Sequence, residues 1–178
     1  MTARLSLAAV NALDRARFVA ALGEIFEHSP WVAEAVWPAR PFATLAALRR
    51  AMVGAVANAG RDRQLALIRA HPELAAPEDR TGPLTELSRA EQAGIGFAAG
   101  GGDARRRQVE LNARYRARFG FPFVIAVRGR GRDEILAVMA ARLGNDRETE
   151  IATALDEIAQ IAAFRLNDLL GTNQGGGP

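Results

Sequence analysis

Apolar residues recur at helical spacing along almost the whole chain, and this periodicity restricts the fold more than any other feature. In the first clear example, Phe18, Leu22, Ile25 and Phe26 stand at positions i, i+4, i+7 and i+8, which share one face of an α-helix. Similar stripes follow around residues 45–56, 65–68, 135–143 and 151–169. The pattern predicts an all-α, single-domain bundle of about eight helices.

One segment departs from this periodicity. Residues 121–127 form a short apolar run that contains β-branched side chains and a proline. The run is too short for a helix, and the sequence offers no second strand to pair with it. We therefore expect one buried extended segment near residues 121–128.

Prolines mark several helix boundaries. Ser29, with a proline after it, is typical of an N-cap and predicts a short helix that begins there. Two further prolines, Pro38 and Pro41, should end this helix. A later helix should end near His71, because Pro72 disfavours helical backbone in the residue before it. Residues 72–87 are rich in proline and glycine, which predicts a loop.

A second start signal follows this loop. The segment Ser88-Arg89-Ala90-Glu91 matches a capping box, with serine as the N-cap and glutamate at N3. It predicts a helix from about residue 89 to 98. The box has a purely structural explanation, but a helix start also presents backbone N–H groups that can bind an anionic or polar ligand.

The second half of the chain should contain long helices. A basic helix should begin at Asp103, which can cap it, and end before Gly120, a residue type common just after helices. The last helix should run over about residues 146–170. We expect 171–178 to be a disordered tail, which leaves 1–170 as the helical domain.

The composition excludes several kinds of catalytic site. The chain has no cysteine, which removes disulfides, thiolate metal sites and a cysteine nucleophile. All 23 basic residues are arginine, so Schiff-base lysines and a P-loop lysine are also excluded. Only His28 and His71 remain as general acids near neutral pH, and we expect no metal site.

Neither a membrane span nor a secretory signal is expected. No apolar run reaches the roughly 18 residues that a membrane-spanning helix needs. Charged residues, among them Arg4 and Asp14, interrupt the N-terminal segment, which lacks a long apolar core. We expect a cytoplasmic protein.

Arg165 is an anomaly on the last helix. It stands at i+4 from Ile161 and i+7 from Ile158, so it falls on the apolar stripe. It could lie at the edge of the core or pair with a buried acid. Alternatively, its guanidinium could point into a pocket and hold an anionic ligand by two parallel contacts.

Two other features leave alternatives open. His71 sits at a rigid corner, where a histidine can either interact with a helix terminus or act as an acid, and His28 occupies a similar place. The basic helix contains six arginines, most simply a solvated face. With the pI of 10.7, it also allows an Arg-rich helical module that binds nucleic acid or another anion without catalysis. A third possibility is an interaction domain with structural histidines.

Six segments together resemble one enzyme family, 2-oxo-4-hydroxy-4-carboxy-5-ureidoimidazoline (OHCU) decarboxylase. In chain order they are FEHSPW (26–31), HPEL (71–74), SRAEQ (88–92), LNARY (111–115), FGFPFVIAV (119–127) and FRL (164–166). Each segment alone is weakly specific. Their shared order and spacing cover roughly residues 13–170, which makes the resemblance specific.

The resemblance implies an all-α enzyme that needs no cofactor, forms a homodimer and acts on a small molecule rather than on nucleic acid or a membrane. Its reaction is the decarboxylation of OHCU to (S)-allantoin in urate breakdown. His71 would be the catalytic acid, with Glu91 close to it. The substrate pocket would be lined by Pro72, by Ser88, Arg89, Ala90 and Gln92, by the backbone of Phe123, Val124, Ile125, Ala126 and Val127, and by Arg165.

This reaction suits the residues that the composition leaves available. The substrate ring contains an imine that accepts the electrons released with CO₂, so the protein must mainly hold the ring and deliver a proton to one face. Backbone at residues 123–127 has donors and acceptors that no sheet would use, which suits a substrate rich in amide groups.

Overall fold

The structure is a computed structural model that describes residues 5–74, 84–93 and 102–171 of the chain. These residues form nine α-helices and one short 3₁₀ helix, and they contain no β-strand. The α-helices are α1 (Leu7–Ala12), α2 (Arg15–Leu22), α3 (Trp31–Val36), α4 (Leu45–Ala57), α5 (Arg61–Ala70), α6 (Glu86–Ala93), α7 (Gly102–Phe119), α8 (Arg132–Arg142) and α9 (Arg147–Leu170), and the 3₁₀ helix is Trp37–Ala39. The prediction of an all-α fold is confirmed.

The contacts within the chain divide it into two compact units. The first contains Met1–Gln64 and Ala159–Pro178, and the second contains Leu65–Ile158. Both boundaries fall inside helices, α5 and α9. The single domain over residues 1–170 stays a prediction. Of the predicted disordered tail, all but Gly171 lies outside the described residues.

The core of the first unit is built on the predicted stripes. Helix α3 packs against both α2 and α4. Leu48, Met52 and Val56 of α4 recur at every fourth position and are buried. Phe18 and Leu22 of α2 are completely buried. Removing these side chains from water is the main favourable contribution to this unit's stability.

Two predicted boundaries in this unit are wrong. Helix α2 ends at Leu22, although the apolar spacing continues to Phe26. Ile25 and Phe26 are buried all the same, because the turns after α2 direct them into the core. Ser29 is not a side-chain cap: α3 begins at Trp31 with Pro30 at the N-cap position, and no side-chain capping hydrogen bond is made there.

A side-chain cap starts each of α1, α2, α4 and α9, as sequence rules require. The oxygens of Ser6, Asp14, Thr44 and Asp146 each accept a hydrogen bond from the backbone N–H three residues later, at 2.8 to 3.1 Å. Each bond satisfies an N–H group that the helix itself leaves unpaired. The predicted start of the last helix near residue 146 is therefore confirmed.

The predicted extended segment is also confirmed, and it lies in the second unit. Residues 122–127 adopt neither helix nor strand, and Phe121–Ala126 are buried. Gly120 precedes them with φ of 77°, a left-handed conformation in which glycine has no side-chain penalty. Its N–H donates to the carbonyl of Arg116 at 2.9 Å, which ends α7 and redirects the chain.

None of the helices in the described ranges combines the length and the apolar character that crossing a membrane requires.

The cap of α9 should make stability depend on pH in a predictable direction. Hydrogen bonds from the backbone N–H and then the hydroxyl of Thr149 lower the pKa of the Asp146 carboxyl below its usual 3.8. The folded state thus favours the carboxylate, and its contribution is complete above pH 4 and is lost as the pH falls through the folded-state pKa.

We expect Asp146→Ala to lower the melting temperature at pH 7, and Asp146→Asn to lower it less because asparagine also caps helices. Thermal unfolding between pH 7 and pH 2.5 would measure this. The gap between wild type and Asp146→Asn should close below pH 4, and a gap that widens in acid would contradict the assignment.

Candidate active site

His71 occupies a fixed position at the end of α5. The helix ends at Ala70, as the following proline predicts, and His71 is 6% exposed. Its Nδ1 lies 2.9 Å from the carbonyl oxygen of Leu67, one turn back. A carbonyl can only accept, so Nδ1 carries a proton and Nε2 is the nitrogen that can exchange one.

The location also suits a charged ring. The carbonyls at the C-terminal end of a helix interact favourably with a cation. Because the Nδ1–H bond to Leu67 persists when the ring is doubly protonated, His71 can gain a proton at Nε2 without changing its orientation. A histidine held this way is suited to deliver a proton in a defined direction.

A cavity of about 280 Å³ lies beside His71, entirely within the second unit. Its lining residues come from the end of α5, the end of α7 and the start of the extended segment: Arg69, His71, Pro72, Glu73, Arg116, Gly120, Phe121 and Pro122. The cavity brings together His71 and Pro72 of the predicted site. The predicted residues on α6 and at 123–127 are not among its described lining.

The segment that follows His71 is held by α7. The carbonyl oxygen of Leu74 accepts hydrogen bonds from Gln108 Nε2 at 2.5 Å and Asn112 Nδ2 at 3.1 Å. One residue earlier, Glu73 forms an ion pair of 2.7 Å with Arg116. The chain from His71 to Leu74 is therefore bonded at both ends.

The capping box predicted for Ser88 and Glu91 is wrong. Helix α6 begins at Glu86, so both residues lie inside it. Thr85 takes the capping role, because its hydroxyl oxygen accepts from the Ser88 N–H at 3.2 Å and its carbonyl accepts from the Arg89 N–H. The predicted continuation to residue 98 extends beyond the described part of the helix.

The exposure pattern of α6 divides the predicted binding residues into two groups. Ser88 is buried, and Glu91 and Gln92, three and four positions later on the same face, are half-buried. Arg89 and Ala90 are exposed. The inward face of α6 therefore carries a hydroxyl, a carboxylate and an amide.

The extended segment uses its backbone groups differently from the prediction. The carbonyl of Val124 accepts from Arg142 at 2.9 Å, and the N–H of Ala126 donates to Glu157 at 2.8 Å. The carbonyl of Val127 accepts from the Arg130 N–H at 3.0 Å. The expectation that this backbone is unclaimed is wrong for these three groups, because two buried side chains and one turn N–H replace the missing sheet partner.

A buried polar cluster supports this segment. Glu150 is completely buried and accepts hydrogen bonds from the Tyr115 hydroxyl, from Arg142 Nε at 2.7 Å and from Asn145 Nδ2 at 2.8 Å. Burial raises the pKa of the Tyr115 phenol far above its usual value, and the bond to Glu150 raises it further. Tyr115 is therefore a neutral donor at every working pH.

Sequence reasoning missed Glu150 and Glu157, although a usable signal exists. Both fall at helical spacing with Ala154 and Ile158, on the stripe that flags Arg165. Glu157 is 8% exposed and pairs with Arg130 at 3.2 Å. A carboxylate on an apolar stripe is as informative as an arginine there, because a buried charge needs a partner.

Arg165 pairs with a buried acid, one of the two alternatives that its spacing leaves open. Arg165 is 3% exposed, and its Nη1 lies 3.0 Å from Oε2 of Glu27, which has no exposure at all. The same nitrogen donates to the carbonyl of Glu24 at 3.1 Å. The guanidinium therefore holds residues 24–27 in place, and contact with a ligand stays a prediction.

Three of the six arginines of the basic helix form ion pairs. On α7, Arg106 pairs with Asp103 and Arg114 pairs with Glu110 at 3.8 Å, while Arg116 pairs with Glu73. Ion pairs of this kind along an exposed helix are typical of a solvated face. Across the described ranges, no three histidine, aspartate or glutamate side chains converge as metal ligands would.

Comparison with known proteins gives consistent matches over most of the chain. A profile of the OHCU decarboxylase family matches residues 11–167. The 2-oxo-4-hydroxy-4-carboxy-5-ureidoimidazoline decarboxylase of Haloferax volcanii is 47% identical over 162 residues, covering 91% of this chain and 94% of that protein. The Mus musculus protein of the same name is 39% identical, covering 95% of each. A uric acid degradation bifunctional protein of Bacillus subtilis is 40% identical, but the match covers only 32% of its length.

Two solved structures have a similar fold. The crystal structure of an (S)-allantoin synthase matches with a TM-score of 0.73 at 30% identity, over 93% of this chain and 54% of that one. A crystal structure of OHCU decarboxylase in the presence of (S)-allantoin matches with a TM-score of 0.68 at 22% identity, over 90% and 100% of the two chains. At that identity the second likeness concerns the fold alone.

The buried pair between Arg165 and Glu27 predicts a specific pattern of stabilities. Arg165→Met should lower the free energy of unfolding by about 3–5 kcal/mol, because it leaves the Glu27 carboxylate buried and uncompensated. Glu27→Leu should also destabilise, and the double variant should recover much of the loss. Urea unfolding of the four proteins tests this. An Arg165→Met protein as stable as wild type would mean that the pair contributes nothing.

Proposed function

Because this chain belongs to the OHCU decarboxylase family, we propose that it converts OHCU to (S)-allantoin and CO₂ with His71 as the proton donor. The family makes it a carboxy-lyase of urate degradation. The observation that carries the assignment of the acid is the geometry of His71, which is buried beside a cavity with Nδ1 committed to the Leu67 carbonyl.

The proposed reaction needs only acid–base chemistry. The bond between C4 and its carboxylate breaks, CO₂ leaves, and the electron pair forms a C4–C5 double bond while the imine nitrogen takes a proton. The resulting enol at C4 becomes a carbonyl as C5 receives a proton, and the enol proton is released. Because the ring accepts the electrons, no lysine, cysteine or external electron sink is required of the protein.

His71 is suited to the stereochemical step. C5 is planar in the enol, and solvent would protonate both faces equally. A single donor fixed by the Leu67 bond can reach only one face, which gives one enantiomer. General acid catalysis of this type contributes about 10²- to 10⁴-fold to the rate.

The inward face of α6 carries three further polar residues of the proposed site. We propose that Glu91 orients or charges the His71 ring and that Ser88 and Gln92 contact substrate polar groups. The half-buried position of Glu91, on the same face as Ser88, supports this role. The resemblance extends the set to Arg89, Ala90 and the backbone of 123–127, which stay predictions.

Arg165 is the remaining residue of the proposed site, and a homodimer is the expected assembly. We expect Arg165 to hold the substrate carboxylate or a ring carbonyl, with Glu27 fixing its guanidinium from within the first unit. We also expect a cytoplasmic homodimer without a nucleic-acid partner, metal or cofactor.

Replacement of His71 tests the assignment of the acid. His71→Asn should fold, because the asparagine amide can still donate to the Leu67 carbonyl, but it should lose at least 100-fold in kcat by the roughly 10²- to 10⁴-fold scale of acid catalysis. Its residual product should approach a racemic mixture. Circular dichroism would follow the allantoin formed and the fold of the variant.

His28 provides the matched control. It has φ of 45° and is exposed, and asparagine tolerates this left-handed conformation well. His28→Asn should therefore keep both the fold and the activity. The reverse ranking of the two variants would show that the acid has been assigned to the wrong histidine.

Replacement of Glu91 tests the charge proposed beside His71. Because Glu91 lies inside α6 and is not part of its cap, Glu91→Gln should leave stability almost unchanged. Loss of the carboxylate should lower kcat and shift the pH profile of kcat, since a charge near an acid changes its titration. Steady-state kinetics from pH 5.5 to 9 would measure both, and an unchanged profile would reduce Glu91 to a structural residue.

A further inference from the structure

The segment LNARY contributes a residue whose position the proposed reaction does not explain. Asn112 is 5% exposed on α7, and its Nδ2 donates to the carbonyl of Leu74. Gln108, one turn earlier and 2% exposed, donates to the same oxygen. Two buried amides thus converge on one carbonyl three residues after His71.

Stability alone is a poor reason for this arrangement. The neighbouring buried residue of α7, Leu111, belongs to the apolar core. Burying an amide costs free energy unless all its polar atoms are bonded. Among the described residues, Oδ1 of Asn112 has no hydrogen-bond partner. Apolar side chains of the same size would avoid that cost, although they would leave the Leu74 carbonyl without these two donors.

We propose that Gln108 and Asn112 are positioning residues for His71, which act by fixing the backbone of the segment that carries it. This inference rests on the proposed function. Residues 108, 112 and 116 follow one another at four-residue spacing, so they form one row along α7. Gln108 and Asn112 bind Leu74, and Arg116 binds Glu73.

The row of Gln108, Asn112 and Arg116 on α7 provides the second of two anchors that position His71. Helix α5 ends at Ala70, and the His71 N–H still donates to the carbonyl of Ile68 at 3.2 Å, but residues 72–74 lie beyond the helix. The Leu67 bond fixes the His71 ring on the helical side, and the row on α7 fixes the chain on the other side. Misplacement of a reacting group by about 1 Å can cost 10²-fold in rate, so this second anchor should matter for turnover.

The test uses size-matched variants that remove the donors. Gln108→Met and Asn112→Leu each leave one donor on the Leu74 carbonyl, and the double variant leaves neither. We expect each single variant to lose severalfold in kcat and the double variant about 10²-fold, more than the product of the single losses. KM should change less than kcat, because these residues do not contact substrate.

Leu111→Ala is the matched control. Leu111 lies on the same helix, is equally buried and makes no side-chain hydrogen bond, so its loss should lower the melting temperature without changing kcat per folded molecule. The enantiomeric excess of allantoin separates the two roles. It should fall in the double variant and stay at the wild-type value in Leu111→Ala.

The outcomes distinguish this inference from the proposed function. A folded double variant with wild-type kcat and enantiomeric excess overturns the positioning role while leaving the decarboxylase assignment intact. If the double variant does not fold, Gln108→Met carries the test, and wild-type kcat and product chirality in that protein have the same meaning. A wild-type protein without OHCU decarboxylase activity would instead overturn the proposed function.

Discussion

The second unit depends on how it satisfies the backbone of two segments that are neither helix nor strand. Residues 71–74 and 121–127 pass through or beside its core, where each unpaired N–H or C=O would cost free energy. With no sheet among the described residues, side chains from neighbouring helices supply the bonds. Gln108 and Asn112 hold the first segment, and Arg142 and Glu157 hold the second.

The use of side chains to bond irregular backbone explains why charged residues lie inside a helical core. Arg142 can bond the Val124 carbonyl only if its own charge is matched, and Glu150 provides the match while also accepting from Tyr115 and Asn145. A buried ion pair is weak evidence for stability, since apolar residues often replace one without loss. Its value here is geometric, because it gives an irregular segment a single path.

The sequence predicts the helices well because each needs only local information, namely apolar spacing and a capping residue. The sequence predicts the ends of a helix incorrectly where tertiary packing or a competing capping residue determines them. Ile25 and Phe26 continue a helical stripe, but they are buried by the turns that follow α2. Thr85 caps α6 in place of Ser88, because the helix already begins at Glu86 and the Thr85 hydroxyl accepts from the Ser88 N–H. The spacing identifies Arg165 as unusual, but its partner Glu27 lies 138 residues away, and no local pattern encodes that pairing.

The contacts of Arg142 and Arg40 are of a kind that lysine could not make, which gives the absence of lysine a structural consequence. Arg142 binds a carboxylate through Nε and a backbone carbonyl through Nη1, and Arg40 binds the carbonyls of Trp37 and Asn11 from two different nitrogens. A guanidinium can do this because its donors diverge in a plane, whereas an ammonium presents a compact charge. A fold that relies on cations to join irregular backbone to its helices therefore favours arginine at these positions. Because such bonds define where irregular segments lie, they connect the folding of the second unit to the placement of the histidine at its cavity.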